Sequence, residues 1–89
     1  MEEKNVLTGF AIIVVDRGFV YVGDVQSDDR FCRISNARNI RKWGTTKGLG
    51  ELALHGPTET TLIDDVGTVR VPHRAVISII DTEVTKWTR

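Results

Sequence analysis

A single cysteine, Cys32, stands in the 89 residues. One thiol closes no internal disulfide, so the fold must hold without a covalent staple, and nothing points to an oxidising compartment. An excess of either charge is missing too: twelve Lys and Arg balance twelve Asp and Glu. Domains that hold nucleic acid on a broad basic face carry a clear positive excess, so neutrality argues against that class while leaving a local basic pocket open. Long apolar runs are lacking as well. The stretch "FAIIVV" at 10–15 is far short of the ~20 residues that a helical membrane span requires. The acidic opening "MEEKN" does not read as a targeting signal. There is no internal repeat and no low-complexity tract. These absences lead to the expectation of a soluble, cytoplasmic protein with no membrane partner. The length sets one domain, residues 1–89. A chain this small buries only ~60–65% of its unfolded surface, so its core is thin and a partner subunit would help.

What is present reads as β-structure. "FAIIVV" has the composition of a buried strand, and Asp16-Arg17-Gly18 supplies turn residues before "FVYVGDVQ" (19–26); together they predict a hairpin. Gly23, in the middle of the second strand, predicts a bend or a close backbone approach. "SDDR" reads as the next turn, and "FCRIS" begins a third strand that kinks near "NAR" and runs to Trp43. Further on, "TTLI" and "TVRVP" flank "DDVG", which predicts a second hairpin with Gly67 in the left-handed region, and "AVISIID" (75–81) is the last strand. Strands 10–15 and 75–81 are apolar on both faces. Something beyond their own sheet must cover them, and subunit contact is the simplest cover. A homo-oligomer is therefore expected. Trp87 is expected either to close one end of the domain or to sit at an interface.

One segment does not fit this pattern. "KWGTTKGLGELALHGPT" (42–58) crowds Gly and Thr beside a Trp, two Lys and a His. Within it Leu49, Leu52 and Ala53 fall at i, i+3 and i+4, which predicts a short helix; Gly56-Pro57 stops it, and Thr45 or Thr46 could cap its start. Gly48 and Gly50 each weaken such a helix by ~1 kcal/mol, so it must be held by packing. A Gly-rich turn entering a helix presents backbone N–H groups that suit a phosphate. Lys47 adds a point charge, Arg41 and Lys42 flank the turn, and Trp43 offers a flat face on which a base stacks. The spacing is not that of a nucleotide-hydrolysing phosphate loop. The competing reading is that Trp43 and the leucines form a satellite core that only pins the insertion.

Two stretches resemble the motifs of Sm-like proteins, the family that includes bacterial Hfq. "GDVQSDDRFCRISNA" (23–37) is similar to the first motif, with Gly23, Asp29, Phe31 and Asn36 in its characteristic places. "VRVPHRAVISII" (69–80) resembles the second, with His73 and Arg74 at the turn before Ala75-Val76-Ile77-Ser78. The departures are a very short N-terminal region, Pro72 where Hfq has an aromatic, and an insertion at 43–67. That inserted block looks similar to small uncharacterised proteins of bacteriophages and prophages. The resemblance implies an all-β, five-stranded small barrel with a short helix in the insertion between the third and fourth strands. It also implies a ring or smaller oligomer built by strand pairing, often bound to RNA, with the His73–Arg74 turn touching phosphate or base.

The acidic pairs Asp28-Asp29 and Asp64-Asp65 fall at predicted turns, where Asp bonds the local backbone, so they do not read as catalytic carboxylates. His55, His73 and Cys32 lack metal-ligand spacing, and no Ser, Cys or His stands in a nucleophile setting. The expectation is a viral protein of the bacterial host cytoplasm with no enzymatic activity, metal or cofactor. It would bind a small nucleotide ligand through Arg41, Trp43, Thr45, Thr46, Lys47, His73 and Arg74, with an anti-defence role in sequestering a host immune messenger. An Hfq-like RNA-binding ring and a protein-binding adaptor are the alternatives.

Overall fold

The computed structural model describes residues 8–87. Five strands, β1 (Thr8–Val15), β2 (Val20–Ser27), β3 (Phe31–Lys42), β4 (Leu62–Pro72) and β5 (Val76–Asp81), form one antiparallel sheet in the order β4-β3-β2-β1-β5. Among the described residues a single α-helix, α1 (Leu49–His55), lies between β3 and β4. Among the described residues no helix is long and apolar enough to cross a membrane.

The turns form where the turn chemistry predicts them. Arg17 and Gly18 take positive φ between β1 and β2, and the Val15 N–H donates to the Phe19 carbonyl at 2.8 Å. Between β2 and β3, Asp28 Oδ1 accepts from the N–H groups of Arg30 and Phe31, each at 2.8 Å. Gly23 is a place of close approach: a Cβ there would stand 2.8 Å from both Ile34 Cγ2 and the Ser35 carbonyl oxygen. The kink expected near "NAR" is a bulge in β3, where Asn36 takes φ 51° and the register with β4 shifts between Ile34 and Ala37.

Two expectations change. The "DDVG" stretch is no hairpin turn, because β4 runs unbroken through it and Gly67 pairs with Ala37 at the bulge. The connection between β3 and β4 therefore spans 43–61 rather than 43–67. The sheet is also open where a closed barrel is expected. β4 and β5 are joined by a three-residue turn, His73–Ala75, that carries the chain across to pair β5 with β1, and the two strands remain the sheet's edges.

Each face of the sheet has its own core. On one, Ala11, Ile13, Val15, Val25, Ile34 and Val71 pack with Val69, Val76 and Ile79. These residues come from all five strands, so the sheet curls over its own side chains. The opposite face carries Ile12, Val20, Val22 and Ile40, and their cover is Leu52 and Ala53 of α1 together with Trp87. The apolar second face of β1 is thus covered within the chain, not by a neighbour. Trp87 resolves in the same way: it is buried against Phe10, their ring centroids 5.8 Å apart. The large apolar side chains left open on the strands are Leu62 and Val66 of β4, 43% exposed each, and Ile77 of β5, 65% exposed. All three sit on edge strands.

The helix is held as its weak propensity requires. Gly56 caps it, its N–H donating to the Leu52 carbonyl at 2.8 Å. The next carbonyl, Ala53, would be left without an intrahelical donor. It receives the Glu83 N–H at 2.9 Å and Trp87 Nε1 at 3.3 Å. The segment after β5 therefore completes the end of a helix inserted between β3 and β4.

Candidate functional site

The insertion is clasped at its base by threonines. Thr61 Oγ1 donates to the Trp43 carbonyl at 2.7 Å and Thr58 Oγ1 to the Gly44 carbonyl at 2.8 Å. Arg41 pairs with Asp64 across β3 and β4, so its guanidinium frames the loop. Neither Thr45 nor Thr46 caps the helix. Gly48 holds that position; Thr45 Oγ1 donates to the Gly48 carbonyl at 2.9 Å and Thr46 Oγ1 to Glu51 Oε1 at 3.4 Å. The Lys47 N–H donates to the same Glu51 oxygen at 2.8 Å. A carboxylate already sits at the helix start, and the backbone there does not offer the open cradle the sequence suggests. What the loop does present is side chain. Trp43 is 41% exposed and Lys47 is exposed, both carried on a backbone pinned from several directions.

His73 and Arg74 form an exposed turn at the far end of β4. The His73 N–H donates to the Arg30 carbonyl at 3.4 Å, and His73 Nε2 shares a hydrogen bond of 3.2 Å with Ser27 Oγ. Hydrogen bonds from the N–H groups of Phe31 and Arg30 hold the neighbouring Asp28 carboxyl below its ordinary value of 3.8, and the charge of His73 adds to this.

The structure separates the two halves of the expected site. Lys42 pairs with Leu62 at one end of β3, and Phe31 pairs with Pro72 at the other. At ~3.3 Å per residue, on the order of 35 Å of strand lies between the Trp43–Lys47 loop and the His73–Arg74 turn. A mononucleotide bound to one chain cannot touch both.

A feature the linear sequence hides lies beside His73. Arg33 and Arg70 are direct cross-strand partners, both exposed, and the Arg70 guanidinium lies 5.7 Å from the centre of the Phe31 ring. Like charges placed opposite each other oppose pairing. His73 and Arg74 follow Arg70 by three and four residues, so basic side chains and an aromatic gather toward this end of β3 and β4. Only knowledge of the β3–β4 register could have found them. Among the described residues no group of three or more His, Cys, Asp or Glu is placed to hold a metal.

Comparison with protein-family models, curated proteins and solved structures finds no match to this chain.

Proposed function

We propose that this is a non-catalytic, oligomeric binding protein that takes a nucleotide-type ligand on the insertion between β3 and β4. The observation that carries the reading is the split within the insertion itself. Its leucine-bearing helix packs away, with Leu52 in the core, while Trp43 stays outside that core and exposed in the same loop as the exposed Lys47. A satellite core would have drawn the indole in. An exposed aromatic face and an exposed ammonium on one loop, held by threonine clasps, suit a base and its phosphate. Arg41, Thr45 and Thr46 position this pair, and His73 and Arg74 join it from a second chain. β4 carries the insertion at its start and the His73–Arg74 turn at its end. Antiparallel pairing of two β4 edges sets the start of one against the end of the other, and covers Leu62 and Val66. In a phage setting such a protein would sequester a host immune messenger.

Lys47→Ala and Arg74→Ala are expected to alter stability by less than ~0.5 kcal/mol. Each should weaken nucleotide binding roughly tenfold to a hundredfold, the worth of one charge-assisted hydrogen bond. Titration calorimetry with cyclic and linear nucleotides tests this, with Trp43→Phe as the check on stacking. Wild-type protein that binds no nucleotide at millimolar concentration ends the reading and leaves the adaptor class.

A second reading is an Sm-like, Hfq-like RNA-binding ring, in which the β4 edge pairs with β5 of the next chain. The Arg33–Arg70–Phe31 patch beside His73 and Arg74 favours it. Light scattering should return a multiple of the 10.0 kDa chain mass under either reading. Lys at both Leu62 and Val66 should dissociate both assemblies, because charge on an edge strand opposes pairing. Ile77→Lys should dissociate only the ring. A wild-type mass of one chain across micromolar concentrations would exclude both.

A further inference from the structure

A cavity of ≈420 Å³ opens on the helix-covered face of the sheet, beside the bulges of β3 and β4. Phe10 and Trp87 form one wall, in tilted contact with each other. Arg38 and Asp65 line it from two strands, as direct cross-strand partners. Opposite charges so placed would be expected to pair. Yet neither side chain has an ion-pair or hydrogen-bond partner among the described residues. Asn36 lines the same cavity from the bulge, where its positive φ turns it out of the strand's alternation.

We propose that this cavity is a binding site for a purine base with the hydrogen-bonding edge of guanine. Phe10, the half-buried member of the aromatic wall, backed by the buried Trp87, offers an apolar contact for a flat ring. Arg38 only donates, and matches the O6 and N7 acceptors of guanine. Asp65 as a carboxylate only accepts, and matches the adjacent N1–H and N2 amino donors. Asn36 can do either and serves the remaining edge or the sugar. Adenine sets a bare N1 acceptor where the carboxylate stands, so the pair discriminates between the two bases. The volume lies in the range of small-ligand pockets. This site needs no phosphate and is lined by no side chain of the insertion, so it stands apart from the Trp43–Lys47 reading.

The test is calorimetric titration of the full chain with guanosine and adenosine, which carry no phosphate. Guanosine should bind at least about tenfold more tightly than adenosine, the scale of one good bidentate contact. Asp65→Asn, at an exposed position, should remove most of that preference without moving the melting temperature. Arg38→Gln should weaken guanosine about tenfold or more. Lys47→Ala should leave guanosine binding unchanged, so a failure of the insertion site and a failure of this one are told apart. The proposal is overturned if guanosine does not bind at millimolar concentration, if both nucleosides bind alike, or if Asp65→Asn leaves the preference intact.

Discussion

Leu52→Ala is expected to lower the unfolding free energy by ~3–4 kcal/mol, measured by urea titration. Leu52 is 0% exposed and sits among Ile12, Val20, Val22, Ile40 and Trp87. Truncating a buried Leu costs the transfer free energy of the lost methyl groups plus a cavity term, ~2–5 kcal/mol in all. The upper part of that range applies because one wall of this cavity would be the sheet, which cannot collapse inward without breaking its ladder. A domain of this length holds about 5–13 kcal/mol in total, so the variant would be near its limit. A loss below ~0.5 kcal/mol, typical of a surface substitution, would mean that the insertion does not cover the sheet. The exposed neighbour Leu54 is the control: Leu54→Ala should change stability by less than ~0.5 kcal/mol.

Gly56→Ala should cost at least as much, although it adds only one methyl group. Gly56 has φ 83° and ψ 177°, a region that essentially only Gly occupies. Holding another residue there costs ~1–3 kcal/mol before any contact is considered. A Cβ at Gly56 would also stand 2.3 Å from the Lys86 carbonyl oxygen, and backbone must move to clear it. That backbone leads into Trp87, whose indole donates to the Ala53 carbonyl. One substitution therefore strains the helix cap and displaces the segment that completes it. The expected signature is a loss of ~3 kcal/mol or more together with a shift in Trp fluorescence as Trp87 becomes exposed. Gly50→Ala tests the opposite case, since nothing lies within 4 Å of a Cβ there. It should stabilise by ~0.5–1 kcal/mol through helix propensity. Wild-type stability in Gly56→Ala would mean that the helix end and the C-terminal segment are not joined.

Much of the fold can be read from short stretches because its causes are local. The Asp28 turn and the Arg17–Gly18 turn form from bonds and φ values within a few residues. Leu49, Leu52 and Ala53 mark a helix by spacing, and Gly56 ends it. The misreading of "DDVG" has a local cause too: Asp and Gly favour a hairpin turn and a strand bulge alike, and only pairing with β3 decides between them. The candidate site was legible as chemistry but not as place. Trp43 and Lys47 share one short loop because they are close in the chain, and both are exposed there. His73 and Arg74 stand at the other end of β3, a separation set by strand length and register.

The amino-acid order by itself determined β1, β2, β3 and β5, the turns between β1, β2 and β3, and the helix in the insertion. Each follows from side-chain alternation or turn chemistry over a few neighbours, which act whatever the rest of the chain does. Tertiary structure alone decided what covers the second face of β1, because α1 and Trp87 reach it from far along the chain. It alone set Arg33 against Arg70 and Arg38 against Asp65, since a bulge of one residue changes which side chains share a row. And it left the sheet open, because a three-residue turn sends β5 to pair with β1 and leaves β4 at the opposite edge among the described residues.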